Sequence, residues 1–150
     1  MVKEEKKAPK LRFNGYTNDW ERKKLGDVAE IVGGGTPSTT KDNYWNGSIN
    51  WYTPAEIGDK IFIDNSQRKI TNLGLKNSSA KILPAGTMLF TSRAGIGKTA
   101  ILKEEGSTNQ GFQSIIPNVK LLDSYFIYSM SNILKKYGES HGAGSTFIEI

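Results

Sequence analysis

The residues FTSRAGIGKTA, Phe90 to Ala100, form the most informative turn of this chain. Positions 97–99, Gly-Lys-Thr, match the end of a phosphate-binding P-loop, G-x-x-x-x-G-K-[ST]. The first glycine of that motif would fall at position 92, where the sequence has Ser92. A P-loop also opens a helix, whereas residues 99–102 are a short β-favouring run. The stretch therefore predicts a β-hairpin rather than a nucleotide site.

The two strands of this hairpin are predicted over residues 87–92 and 98–102. The turn between them contains glycines, which allow positive φ, and it carries Arg93 and Lys98. We therefore expect two cations at the end of the hairpin.

Further short extended segments, separated by glycine and proline turns, lie on both sides of the hairpin. They are residues 48–53, 60–63, 68–71 and 112–116, and residues 68–71 are expected to pair with residues 60–63. Residues 25–32 favour a helical turn that runs into a strand. Strands at this spacing predict a curved, mostly β core.

One longer helix is predicted near the C-terminus, with Asp123 or Ser124 as its cap and Gly138 after its end. Its apolar side is expected to consist of Tyr125, Phe126, Ser129, Met130, Ile133, Leu134 and Tyr137. The chain is thus expected to be α+β, with short helices besides this one. We expect a flexible basic arm over residues 1–12 and one domain over residues 13–150, closing with a loop at 142–146 and a strand at 147–150.

Composition narrows the function classes. The 150 residues carry a net charge of +5, which favours a polyanionic partner such as nucleic acid, although many soluble domains are mildly basic. No apolar run approaches the roughly 20 residues needed to cross a bilayer, and the N-terminus does not have a signal peptide pattern. The absence of cysteine excludes disulfides and thiolate metal sites and fits a cytoplasmic protein.

Catalytic motifs are missing from the sequence. His141 is the single histidine, and neither Ser92 nor Ser145 lies in a nucleophile-elbow pattern. The acidic residues do not have the spacing of a metal cage. We therefore expect a chain that catalyses nothing by itself and needs no cofactor.

What remains is a set of basic residues among hydroxyls and amides in turns, the groups that bind phosphates and base edges. The aromatic residues Tyr44, Trp45, Trp51 and Tyr52 are candidates for stacking on bases, and the alternative is that they belong to the core.

Seven sequence blocks resemble the target-recognition domain of type I restriction–modification specificity subunits. They keep the family's order and include Gly-Gly-Thr-Pro-Ser at 34–38 and Ile-Asn-Trp-Tyr-Thr-Pro-Ala-Glu-Ile at 49–57. The others are residues 44–45, 69–87, 91–98, 108–112 and 144–147, so that the resemblance covers nearly all of the chain past the arm.

The resemblance implies an α/β DNA-binding domain with a curved β core. In this family two such domains, separated by long helices, each read half of an interrupted site in double-stranded DNA. The subunit is not catalytic and assembles with modification subunits, which use S-adenosylmethionine to methylate adenine, and restriction subunits, which use ATP and Mg²⁺. This sequence has one such domain and no helical spacer, which leaves its assembly with those partners in doubt.

On this basis we expect Arg93 and Lys98 to hold DNA phosphates, with the structural hairpin as the alternative. Base-reading groups are expected in the Gly-Thr-Pro-Ser loop, in residues 41–45 and in residues 68–81. The full set of candidate DNA-binding residues is Thr36, Ser38, Thr39, Lys41, Tyr44, Arg68, Lys69, Lys76, Ser78, Ser92, Arg93, Lys98, Asn109 and Gln110. A P-loop-like nucleotide enzyme and a general single-strand binder remain as competing functions.

Overall fold

The computed structural model describes residues 23–93 and 95–141. The predicted arm at 1–12, the loop at 142–146 and the strand at 147–150 lie outside these residues. The division of the chain into an arm and one domain stays a prediction.

Eight short strands of the described chain form two sheets. The strands are β1 (Ala29–Gly33), β2 (Trp45–Tyr52), β3 (Phe62–Ile63), β4 (Arg68–Ile70), β5 (Met88–Phe90), β6 (Thr99–Leu102), β7 (Ser107–Thr108) and β8 (Gln113–Pro117). The larger sheet has the order β1-β8-β5-β6-β3, and the smaller one has the order β4-β2-β7.

The predicted hairpin lies at the centre of the larger sheet. Strands β5 and β6 pair antiparallel, with Met88 opposite Ile101 and Phe90 opposite Thr99. All seven residues of the two strands are buried, because β8 and β3 flank them and apolar clusters cover both faces. The prediction of a hairpin is confirmed, and the helical turn running into β1 is confirmed as well.

The pairing predicted for residues 68–71 is wrong. Strand β4 pairs antiparallel with β2, so that Arg68 lies opposite Trp51 and Ile70 opposite Ile49. Strand β3 instead runs parallel to β6 in the larger sheet. This arrangement buries Ile70 completely in a cluster with both tryptophans of β2, which the pairing with β3 could not do.

The helical elements are short, as expected for an α+β domain. They are the α-helices α1 (Leu25–Val28), α2 (Asn72–Lys76), α3 (Ser124–Ser129) and α4 (Ser131–His141), with 3₁₀ turns η1 (Asp42–Tyr44) and η2 (Pro54–Glu56). Asp123 caps α3, as predicted, because its carboxylate accepts a hydrogen bond from the Phe126 N–H at 3.0 Å.

The C-terminal helix differs from its prediction in two ways. It is divided at Met130 into α3 and α4, and α4 continues past Gly138. Ile127 and Leu134 are buried against Met88, Phe90 and Ile115, whereas most of the predicted apolar side is exposed.

The prediction of the buried side of these helices is wrong because that side contains small residues. Gly138 is buried and Ser124 and Ser131 are partly buried, so the side that approaches the sheet includes residues without large apolar side chains. Tyr125, Phe126, Met130 and Ile133 are exposed instead. A search for large apolar residues therefore selects the wrong side.

Candidate nucleic-acid interface

The loop over residues 33–40, called the glycine loop, connects β1 to the smaller sheet. The Gly35 N–H donates a hydrogen bond to the Thr108 carbonyl at 3.0 Å. A methyl group on Gly34 would overlap the carbonyl oxygens of Thr108 and Asn109, and one on Gly35 would overlap Ser79. The loop is thus held closely between two other chain segments, and that contact requires residues without a side chain.

Two tryptophans of β2 fix the same loop from below. The Trp51 indole N–H donates to the Gly35 carbonyl at 2.9 Å, and the Trp45 indole N–H donates to the Ser38 carbonyl at 3.0 Å. Their rings meet edge to face, with centroids 5.0 Å apart. Both tryptophans are buried, so they anchor the loop and belong to the core.

Anchored in this way, the glycine loop presents polar side chains at the surface. Thr36, Ser38, Thr39 and Lys41 are exposed. The Thr36 hydroxyl donates to the Gln110 side-chain oxygen at 2.5 Å, and Ser38 shares a hydrogen bond with the Thr40 hydroxyl at 2.9 Å. Thr36 and Gln110, which are 74 positions apart in sequence, are therefore neighbours.

The predicted hairpin residues adjoin this surface. The Ser92 N–H donates to the Gly111 carbonyl at 2.9 Å, and the Asn109 side-chain oxygen accepts from the Gly111 N–H at 2.8 Å. Arg93, the next residue, is exposed. The segments 33–40, 91–93 and 108–111 thus meet at one continuous edge, called the recognition rim, which carries Thr36, Ser38, Ser92, Arg93, Asn109 and Gln110.

Arg68 lies on the tryptophan pair. Its guanidinium carbon is 3.7 Å from the centroid of the Trp45 ring and 5.8 Å from that of Trp51. The residue is exposed, so that its guanidinium lies over the indole at the surface of the domain.

Other predicted residues are engaged within the domain. The Lys69 ammonium donates to the side-chain oxygens of Asn50 and Asn65, on the opposite side of β4 from Arg68. The Ser78 hydroxyl donates to the Leu75 carbonyl at 3.3 Å and accepts from the Ala80 N–H. These contacts favour structural roles for both side chains.

Three further candidates lie outside the three segments of the recognition rim. Tyr44 is half-buried where η1 contacts α2, and Lys76 is exposed at the end of α2. Lys98 is exposed, and its aliphatic chain lies beside Gly58 and Gly95. The assignment of all fourteen candidates to DNA binding stays a prediction.

The end of the hairpin, residues 91–98, is organised around Thr91. The Thr91 hydroxyl donates to the Gly95 carbonyl at 2.6 Å and accepts from the Lys98 N–H at 2.9 Å, while the Gly97 N–H donates to the Thr91 carbonyl. Ile96 packs towards the core beneath α3 and α4. Two of the amides that a P-loop would turn towards a phosphate are therefore used inside the turn, and β6 follows where a helix would be needed. The turn therefore does not have the structure of a P-loop.

Sequence reasoning missed two sets of positioning residues. One is the tryptophan pair, whose distance from the loop along the chain gives no local signal. The other is Thr53 with Glu56, a capping box in which the Glu56 carboxylate accepts from the Thr53 N–H at 2.7 Å and from the Gln67 N–H at 2.7 Å. The pattern Thr-Pro-Ala-Glu, read as a capping box, would have identified the second set.

Tyr52 lies beneath this surface and supports its third segment, because its carbonyl accepts from the Asn109 N–H at 3.0 Å. Its phenol is buried without a hydrogen-bond partner among the described residues. Burial raises the pKa of Tyr52 to about 12, and the nearby charges of Asp64, Glu56 and Glu104 act in the same direction.

The described residues contain no group of three or more acidic or histidine side chains placed to hold a metal ion. Within residues 23–93 and 95–141, no helix has the length and apolar character needed to cross a membrane.

Comparison with known families matches residues 17–150 to the type I restriction modification DNA specificity domain. The MjaIX specificity subunit of Methanocaldococcus jannaschii is 42% identical over 135 residues, which cover 88% of this chain and 31% of that protein. The EcoR124I/EcoR124II specificity subunit of Escherichia coli is 34% identical over 143 residues, which cover 89% of this chain and 34% of that protein. The chain thus spans about a third of the length of these curated relatives.

Solved structures agree on the fold. The HsdS subunit from Thermoanaerobacter tengcongensis aligns with 75% of this chain and 28% of its own, with a TM-score of 0.53 and 22% identity. A chain from a type I R-M system aligns with 75% of this chain and 27% of its own, with a TM-score of 0.56 and 21% identity. The α+β prediction is confirmed.

Proposed function

Because the chain belongs to the type I restriction–modification DNA specificity domain family, we propose that it binds double-stranded DNA in a sequence-specific manner and catalyses no reaction itself. Sequence is read in the grooves of DNA by side chains that donate or accept hydrogen bonds in fixed positions. The proposal therefore depends on a surface where such side chains are both exposed and held in place.

The recognition rim is the observation that supports this function. It unites hydroxyl, amide and guanidinium groups from three chain segments, and the glycine loop at its centre is fixed by two indole N–H groups and by the Thr108 carbonyl. A rigid support lowers the entropic cost of ordering such groups on binding.

We assign different roles to the neutral and the charged groups. Thr36, Ser38, Asn109 and Gln110 suit base edges, because hydroxyls and amides both donate and accept hydrogen bonds. The exposed cations Lys41, Lys76, Arg93 and Lys98 suit phosphates, which set the orientation of the protein and most of the salt dependence.

The wider role follows from the family. We propose that this chain reads one half of a bipartite site and directs modification and restriction subunits to it in the cytoplasm. S-adenosylmethionine, ATP and Mg²⁺ then belong to those partners. The support for this proposal is that the relatives, which are about three times as long, are specificity subunits of type I restriction enzymes.

The test is selection from a random duplex library at low salt, followed by sequencing of the retained pool. An enriched motif of a few base pairs is the expected result. A pool without sequence preference would overturn the proposal. Low salt is needed because a single domain lacks the gain in effective concentration that two linked domains provide.

A matched selection with single-stranded oligonucleotides addresses the competing nucleic-acid function. General single-strand binders stack bases on aromatic side chains. Of the four residues considered for that role, Trp45, Trp51 and Tyr52 are each less than 10% exposed, and Tyr44 is half-buried. We therefore expect weaker retention of single strands than of duplexes.

A further inference from the structure

We infer that Arg68 is a base-reading residue that recognises guanine in the major groove. The inference rests on the proposed function and adds to it a residue and a base. It starts from the position of the guanidinium on the tryptophan pair, which is separate from the recognition rim but shares its support.

The first step is that Arg68 is held in one orientation. Its guanidinium carbon is 3.7 Å from the Trp45 centroid, and cation–π attraction favours a cation in that position. The Trp45 ring is itself fixed, by its hydrogen bond to the Ser38 carbonyl at 3.0 Å and by its edge contact with Trp51. The arginine therefore rests on a platform that cannot rotate freely.

The second step is that the donors of Arg68 are available. Among residues 23–93 and 95–141, no acidic side chain forms an ion pair with the guanidinium, and no acceptor forms a hydrogen bond with it. The Ser66 hydroxyl donates to the Arg68 carbonyl at 2.6 Å, which fixes the backbone and leaves the guanidinium uninvolved. In an exposed residue, a guanidinium placed over a ring can still offer the N–H groups of its edge to a planar ligand.

The third step is the choice of ligand. The edge of a guanidinium fits two acceptors side by side, such as O6 and N7 of guanine or two oxygens of a phosphate. Phosphate contact does not require an oriented donor, and we assign it to exposed lysines elsewhere on this protein. The fixed orientation therefore favours guanine.

The fourth step is access. Arg68 opens β4, an edge strand of the three-stranded smaller sheet, and β4 pairs antiparallel with β2. The major groove of B-DNA is wide enough to admit paired β-strands, and it presents O6 and N7 of guanine. The exposed Arg68 and the glycine loop that Trp45 holds can thus approach the same groove.

The experiment compares the full chain with Arg68→Ala and Arg68→Lys variants in the duplex-library selection. The wild type is expected to enrich a motif with at least one strongly preferred guanine. Both variants should lose preference at that one position by about 10-fold or more, because a lysine does not provide the two parallel N–H groups of an arginine. Lys41→Ala is the matched control and should weaken binding to all sequences alike.

A second measurement changes the DNA as well as the protein. The preferred guanine is replaced by 7-deazaguanine, which removes the N7 acceptor. The wild type should lose affinity several-fold, and Arg68→Ala should lose nothing further from the same replacement. This cycle distinguishes base contact from a stabilising role of Arg68, because a stabilising role would leave both proteins equally sensitive.

Several outcomes would overturn the inference while leaving the proposed function intact. They are a motif without guanine preference, a uniform loss of affinity in Arg68→Ala with unchanged preferences, as expected for a phosphate contact, and equal sensitivity of both proteins to 7-deazaguanine. A wild-type pool without any motif would instead overturn the proposed function itself.

Discussion

The glycine loop and the hairpin end are both rich in glycine and polar residues, yet they use their glycines for different purposes. In the glycine loop, Gly34 and Gly35 lie against the backbone of other segments, and neither has a positive φ. In the hairpin end, Gly95 and Gly97 have φ values of 102° and 94°, which other residues rarely adopt. The glycine loop needs space, whereas the hairpin end needs an unusual backbone and, at Gly97, also space beside the Lys135 side chain.

The two loops also differ in which of their groups point towards the core and which lie at the surface. The glycine loop turns its backbone inwards, towards the tryptophan pair, and leaves its hydroxyls at the surface. The hairpin end turns Ile96 and the Thr91 hydroxyl inwards and leaves its cations outside. Similar composition thus produces a polar edge in one loop and a charged corner in the other.

The largest effect is expected from Gly34→Ala. The new methyl group would overlap the carbonyl oxygens of Thr108 and Asn109, so that the backbone must move and separate the glycine loop from its support. We expect a loss of about 3 kcal/mol in the free energy of unfolding, measured by urea denaturation. Gly26→Ala is the control, since nothing lies within 4 Å of that position and alanine favours helix α1. Equal stability of the two variants would refute the close-contact account of the loop.

The next largest effect is a loss of folding stability at alkaline pH, which arises from Tyr52 in the core. A tyrosine in an unfolded chain has a pKa near 10, whereas that of Tyr52 in the folded protein is about 12. Between these values the unfolded state releases its proton first, so the stabilisation is complete below pH 10 and is lost as the pH rises towards 12. The expected loss is about 2 kcal/mol.

Tyr52→Phe tests this origin of the alkaline loss. The phenol has no hydrogen-bond partner in the described structure, so the variant should match the wild type at pH 7. Urea denaturation at pH 8 and pH 11 should show a smaller alkaline loss in the variant. If both proteins lose the same stability, the titration of another group is responsible.

The two loops also show how far the sequence predicts this molecule. The hairpin follows from local information, because apolar strands flank a glycine turn within about 16 positions. The strand that pairs with β4 cannot be predicted from local information, because a three-residue strand fits several neighbours. Its pairing with β2 depends on the burial of Ile70 beneath the tryptophans.

In the candidate site, too, some features follow from the local sequence and others depend on contacts made by the fold. The sequence indicates that residues 34–38 form a loop, but the bonds that hold it join Trp45 to Ser38 and Trp51 to Gly35 across the fold. Likewise, Lys69 and Arg68 are indistinguishable as neighbouring cations in sequence. Only the alternation of β4 turns one towards Asn50 and Asn65 and the other onto Trp45.

A smaller effect is expected from Gly95→Ala in the hairpin end. A methyl group there would meet only the flexible Lys98 side chain, at 3.7 Å, so the cost comes from the backbone conformation alone. We expect a loss of about 1–2 kcal/mol in the free energy of unfolding, measured in the same urea series as Gly34→Ala. A loss as large as that of Gly34→Ala would remove the distinction between the two loops.

The smallest effect is expected from Arg93→Ala, which tests whether the charged corner touches DNA. Arg93 is exposed, so its removal should leave the melting temperature almost unchanged and weaken binding to all duplexes by a few-fold at low salt. The slope of log affinity against log salt should fall by about 1, because one phosphate contact is lost. Lys103→Ala is the control, because this exposed lysine follows the far end of β6 beside Asp64. If the two variants have the same salt slope, the hairpin end is a purely structural corner, and contact with DNA is confined to the surface around the glycine loop.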